Sequence, residues 1–223
     1  VIVDSRAYAE ARPGCVHVSL STISPALVSE LDRLHRAAGV GFVAAPVFGV
    51  PEVAARAELN IVAAGDPAHV ARVQPLLDAL GRQTFSLGSD PVRAAITKIA
   101  GNLMLTMAIE AMGEASALTE LYGVSASDFL GMVTQTMFAS PSYQRYGGFI
   151  ANGTYDPGFA LTLGLKDVDL ALDAAAAHGA ELAGAEVVAE NMRAGIAHGE
   201  GARDWSILAR EARLRAGLGD ERA

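Results

Sequence analysis

The chain has 223 residues, enough for one large domain or two modest ones with a proper core. Hydrophobic residues make up 51% and aromatics only 6%, which argues for a helical globular protein and against disorder. A net charge of −8 without any Lys/Arg cluster excludes a nucleic-acid groove, and the lone cysteine, Cys15, excludes a disulfide framework and a cysteine metal site.

Cys15 lies in an apolar run and reads as a plain buried thiol. No signal peptide is read, and no apolar stretch of about 18 residues fit to span a bilayer. The expectation is a soluble, cytoplasmic protein with neither membrane nor nucleic-acid partners. The chain begins at Val1, and VIVDSRAYAEARPG opens as though in mid-domain, which reads as a truncated chain.

In chain order, residues 15–22 (CVHVSLST) are β-prone and end in small hydroxyl residues. Ser24-Pro25 opens a helix that Gly39 closes, and residues 40–48 (VGFVAAPVF) form a second apolar run before a break at Gly49-Val50-Pro51. LNIVAAG (59–65) reads as a third strand. Asp66-Pro67 starts a helix that Gly81 stops, with Pro75 a kink inside it, and TFSLG (84–88) reads as a fourth strand. The third Ser/Asp-Pro start, Asp90-Pro91, opens the longest predicted helix, through to Gly123. This framing of Ser/Asp-Pro at the start and Gly at the stop recurs three times, and alternation of such helices with strands predicts an α/β layer with a mainly parallel sheet.

After residue 90 the β signal disappears. A capped helix is predicted from Ser125 to Met137, then a loop rich in glycine and proline (Pro141, Gly147, Gly148, Gly153, Pro157, Gly158), then helices over 162–178, 184–198 and 205–216, the last capped by Asp204. The predicted organisation is an α/β part over 1–89 and an all-α part over 90–223 that begins with the long helix.

That helix is apolar on most faces, predicting burial on several sides, yet Lys98, Asn102, Thr106, Glu110 and Glu114 recur every four residues. Lys98 and Asn102 can be a solvated stripe, the lysine snorkelling to water. They can equally be a site, because Lys98 falls near the junction of the two parts, where clefts favour ligands. A lysine in a partly dry cleft has its charged form disfavoured and becomes suited to proton transfer, while Asn102 can orient a substrate hydroxyl. Thr106, Glu110 and Glu114 read as a solvated or structural continuation. Lys166-Asp167 is a second candidate: Lys166, a cation near a helix start, opposes the dipole, which points to an anionic ligand or to a local pairing with Asp169 or Asp173. There is no G-x-G-x-x-G, no phosphate-binding P-loop, no nucleophile elbow and no H-E-x-x-H, and the five histidines lack metal-ligand spacing, so no metal is expected.

Four motifs in order, STISP (21–25), AAPVFG (44–49), TKIAGN (97–102) and LKDVDLAL (165–172), resemble the β-hydroxyacid dehydrogenases, relatives of 3-hydroxyisobutyrate dehydrogenase, 6-phosphogluconate dehydrogenase and the glyoxylate/tartronate semialdehyde reductases. The resemblance implies an α/β plus all-α fold: the C-terminal part of a nucleotide-binding Rossmann domain, a long interdomain helix and a helical domain that makes a homodimer. It implies NAD or NADP as cofactor and a small carboxylate or aldehyde as substrate. It puts the general acid/base at Lys98 and substrate contacts at Asn102, Phe48 and Gly49. Cofactor contacts fall at Ser21, Thr22 and Lys166. Where the family's substrate loop reads D-A-P-V-S-G-G, this chain has Ala44-Ala45-Pro46-Val47-Phe48-Gly49-Val50, which predicts a tighter and more apolar pocket. An imine-reductase-like reductase is an alternative, though those enzymes generally replace the lysine that is present here. A truncated, non-catalytic helical dimerisation module is another, since the family's glycine-rich turn precedes the first residue of this sequence.

Overall fold

The computed structural model describes residues 6–12 and 14–219. It divides into two compact units, 1–100 and 101–223.

The first unit is built on a five-stranded sheet of β1 (Val16–Ser19), β2 (Gly41–Ala44), β3 (Val47–Phe48), β4 (Leu59–Gly65) and β5 (Gly81–Ser86). β1 pairs with β2, and β4 with β5, in parallel; β4 pairs antiparallel with β2 and β3, so the sheet is mixed instead of mainly parallel. The single apolar run 40–48 splits into β2 and β3 around Ala45-Pro46, both antiparallel to β4, so the chain reverses between β3 and β4, over residues 49–58. Alternate residues of the central strands feed opposite faces, as strand geometry requires. Phe42 and Ala44 meet Val28 and Leu31, while Val43, Ala45 and Ile61 meet Val73 and Leu77.

The helices on those two faces are α1 (Pro25–Ala37) and α3 (Pro67–Leu80). Each starts at its proline, with Ser24 accepting from Leu27 N at 3.1 Å and Asp66 from Ala68 N at 2.8 Å. Gly39 ends α1 at φ +69. Gly81 ends α3 differently: its backbone is extended, and a Cβ there would lie 2.4 Å from the Leu59 carbonyl oxygen. Gly81 is therefore demanded by β4–β5 approach and not by a left-handed turn. The break at 49–51 becomes a short helix, α2 (Pro51–Ala55).

The long helix α4 runs Val92–Leu121. Among the described residues it is the one helix long and apolar enough, by length and composition, to cross a membrane, contrary to the expectation that no stretch is. Its burial also departs from expectation: Ile99, Ile109 and Met112 are buried, but Ile96, Met107 and Leu118 are exposed and Met104 is 74% exposed.

The second unit adds α5 (Ala126–Val133), α6 (Pro141–Asn152), α7 (Leu161–Ala176), α8 (Ala183–Ala197) and α9 (Leu208–Arg215), the last preceded by a 3-10 turn at Trp205–Ile207. α6 occupies what composition predicts as loop. Ser140 caps it, Pro141 takes its first turn, and Tyr146 and Ile150 supply the buried face. Gly147 lies inside it because a Cβ would press to 3.1 Å from Thr134 Cγ2. The unit's core gathers Ile109, Leu130, Leu161, Val168, Met192 and Trp205. Cys15, expected to be buried, is exposed.

Candidate active site

Within the first unit, β1 and β2 run parallel and finish side by side, Ser19 against Ala44. The loops that follow both strands therefore leave from the same carboxyl edge, where open α/β sheets bind their ligands. The first loop carries Ser21, exposed, and Thr22, half-buried, and is stopped by the Ser24 cap of α1. The second is the short link into β3, which ends at Phe48, with Gly49 next to it. Phe48 is fixed by antiparallel pairing with Asn60. Gly49 adopts φ +150, and a Cβ there would come 2.6 Å from Leu59 Cδ2, so its lack of a side chain is also a packing requirement.

Lys98 reaches this region from the first turns of α4. It is only 9% exposed, and its Nζ stands 4.1 Å from the centroid of the Phe48 ring. A cation over an aromatic face is attracted by the ring quadrupole and held in place. The lysine and the divergent loop residue are thus direct neighbours, a contact the sequence could suggest but not supply.

Within the second unit, Asn102 is buried, and its Nδ2 donates to Asp167 Oδ2 at 2.5 Å. Asp167 Oδ1 pairs with Lys166 Nζ at 2.8 Å; the carboxylate side chain is 1% exposed and the lysine 46%. Lys166 therefore pairs with its immediate neighbour, while Asp169 is taken by Arg193 at 2.6 Å. Asp167, named in the sequence only as half of the Lys166-Asp167 pair, is the residue to which sequence reasoning gives no role of its own. Its signal was phase: it shares the buried face of α7 with Gly164, Val168 and Ala171, a position that ordinarily takes an apolar side chain.

The rest of the polar stripe of α4 is also buried instead of solvated, except Glu114. Thr106 donates to the Asn102 carbonyl at 2.9 Å. Glu110 Oε1 accepts from Asn191 at 2.6 Å and from Arg215 at 2.8 Å. Burial raises the Glu110 carboxyl above its ordinary range, with Arg215 opposing. Two of the histidines meet: His35 Nδ1 donates to the Leu31 carbonyl at 2.6 Å, which leaves Nε2 to accept from His17 Nδ1 at 2.9 Å. Burial, then the neighbouring His35, lowers the His17 pKa.

Residues 1–88 match the family described as the NAD binding domain of 6-phosphogluconate dehydrogenase, and residues 93–212 the family described as NAD-binding of NADP-dependent 3-hydroxyisobutyrate dehydrogenase. The chain belongs to the β-hydroxyacid dehydrogenase family. It is 39% identical over 194 residues to the uncharacterised oxidoreductase YfjR of Bacillus subtilis, covering 86% of this chain and 68% of that protein. It is 26% identical over 198 residues to 2-(hydroxymethyl)glutarate dehydrogenase of Eubacterium barkeri, covering 88% and 65%. The solved 3-hydroxyisobutyrate dehydrogenase of Mycobacterium tuberculosis with L-serine superposes with a TM-score of 0.83 at 27% identity, over 95% of this chain and 76% of that one. The chain spans 55% to 71% of the length of the curated relatives it matches. NAD or NADP is the cofactor class of this family. Within the first unit, the hydroxyls of Ser21 and Thr22 after β1 are donors of the kind that ribose and phosphate oxygens take.

Proposed function

We propose that the polypeptide carrying this chain is an NAD(P)-dependent oxidoreductase that interconverts a small β-hydroxyacid and its semialdehyde or keto acid. The observation that carries this reading is the ammonium of Lys98, nearly buried and held over Phe48 beside the carboxyl edge of the sheet. In this reading Lys98 Nζ takes the hydroxyl proton on oxidation and returns it on reduction. The nicotinamide, when bound, accepts or supplies the hydride. Asn102 orients the substrate hydroxyl, and Asp167 holds the Asn102 amide so that its carbonyl oxygen is aimed by the hydrogen bond on its nitrogen. Phe48 and Gly49 wall the substrate, Ser21 and Thr22 meet the cofactor, and Lys166 serves both as a cofactor contact and as the counter-ion of Asp167.

The test is a substrate panel with NAD and NADP: 3-hydroxyacids and semialdehydes on one side, cyclic imines on the other, since the ring of Phe48 also suits an apolar imine. Turnover of the hydroxyacids, with Lys98→Ala lowering it about 10²–10⁴-fold, is the expected result. Unchanged turnover in Lys98→Ala, or turnover of imines alone, defeats the assignment.

The same reading makes the chain a homodimer through its helical unit. Met104 and Met107 border an apolar hollow of about 550 Å³ closed by Tyr143 and Leu182, and Met104 is 74% exposed. A two-chain mass in solution is expected, shifting to one chain in Met104→Glu; a monomer at micromolar concentration without any substitution counts against it.

A further inference from the structure

The chain has two lysines, Lys98 and Lys166, and the way the first unit folds sets the first of them against an aromatic ring. Val47 packs on the α3 face of the sheet with Val43 and Ile61. Phe48 then turns to the opposite face, because successive strand residues alternate. Pairing with Asn60, and a glycine at 49 where a Cβ would strike Leu59, fix the backbone that carries the ring. On that opposite face Ala94 and Ala95 bring the first turns of α4 close to Phe42 and Ala44. Lys98 stands four residues beyond Ala94, shares its helix face and so follows it toward the sheet. Nζ ends 4.1 Å from the Phe48 centroid, well inside the roughly 6 Å over which a ring attracts a cation.

Two effects act on this ammonium in opposite directions. Burial disfavours its charged form, and the ring face favours it. The strands β2, β3 and β4 carry no charged residue. On α1 the positions packed with Ala94 and Ala95 are Val28 and Leu31. Of that helix's ionisable groups, Glu30, Arg33 and Arg36 are exposed, Asp32 pairs with Arg36, and His35 is hydrogen-bonded to Leu31 and His17. Glu52 on α2, Arg82 on β5 and Arg93 on α4 are also exposed. What the sheet itself brings to Lys98 is the ring.

We propose that Phe48 is a positioning residue for Lys98: its ring face holds the ammonium in one place and keeps it protonated to a higher pH than an aliphatic side chain would. Given the hydride-transfer reading, on which this consequence rests, Phe48 sets the pH at which the lysine passes from proton donor to proton acceptor.

The test reads the lysine directly. Trace acetic anhydride is applied across a range of pH, and mass spectrometry gives the acetylation of each lysine, hence the pH at which each loses its proton. Neither turnover nor cofactor is needed, and Lys166, half-exposed and paired with Asp167, is the internal control. Phe48→Leu removes the ring; a trifluorinated phenylalanine in place of Phe48 keeps its outline but withdraws electron density from its face. The Lys98 midpoint should fall by about one pH unit in Phe48→Leu and by part of that with the fluorinated ring, while that of Lys166 stays put. The fluorinated ring decides, since it leaves burial nearly untouched: a midpoint equal to or above that of the unsubstituted protein overturns the proposal, whatever Phe48→Leu does. The pH profile of hydroxyacid oxidation should shift in step with the labelling. Unchanged turnover in Lys98→Ala would defeat the hydride-transfer reading and leave the labelling result to judge the ring, whereas lost turnover with an unmoved midpoint would defeat only the role given to Phe48.

Discussion

Two stretches of α4 bury polar groups at similar depth and differ in what they bury them against. At Glu110 the carboxylate is met by a cation and an amide from other helices of the same unit, Arg215 and Asn191, and Glu120 is likewise met by Arg213. Those pairings neutralise charge and tie down α8 and α9. At Lys98 one neighbour is the aromatic face of Phe48, which attracts and positions a cation. Buried polarity at helical spacing is therefore no sign of chemistry by itself. The two stretches differ in what surrounds the charge: the Phe48 ring lies under Lys98, and an amide and a guanidinium meet Glu110.

If that contrast is right, perturbing the two stretches gives effects of different kinds. Asp167→Asn keeps volume and shape but removes the carboxylate that fixes the Asn102 amide and the counter-ion of Lys166. Turnover should fall by about 10²-fold through misplacement, with kcat losing more than KM gains. Steady-state kinetics at constant folded fraction checks it, and an unchanged kcat would reduce the pairing to a structural one. Gly113→Ala, at the other stretch, forces a methyl against the Ala209 backbone and should cost about 1–3 kcal/mol of stability. Denaturant unfolding measures that cost, and the activity of the folded fraction should stay unchanged.

How much of this was legible in the sequence follows the range of the interactions involved. Proline starts, side-chain caps and the stop at Gly39 act within a few residues, so α1, α3 and α4 could be read directly. Helix α6 could not, because Gly147 looks like a breaker until Thr134 is seen pressing on it. The buried stripe of α4 was equally hidden: the partners of Asn102 and Glu110 come from α7, α8 and α9, far along the chain. Exposure of Met104 and Leu118 runs against hydrophobic pattern, since periodicity shows that a face is apolar but not what covers it. Lys98, Asn102 and Lys166 were readable as candidates from spacing and motif. Asp167 was readable only as the neighbour of Lys166, although its place on a core-facing phase of α7 could have marked a role of its own.

The smallest expected effect tests the structural half of the contrast. Burial raises the Glu110 carboxyl, Arg215 and the Asn191 hydrogen bond act the other way, and Glu114 adds to the rise. Because the folded pKa lies above the unfolded value of 4.5, the folded state prefers the neutral acid. The stability this group contributes is fully present below pH 4.5 and is lost as pH climbs through the raised value. Glu110→Gln imitates the neutral form at every pH, retaining an oxygen that can accept from Asn191 and Arg215. The melting temperature of the unsubstituted chain should therefore fall relative to Glu110→Gln as pH rises from 4.5 to 7. A gap that stays flat, or that opens in favour of the glutamate, would mean that Arg215 outweighs burial. Glu110 would then be held as a carboxylate in an ion pair, and the charge at this stretch would be more firmly neutralised than burial alone allows.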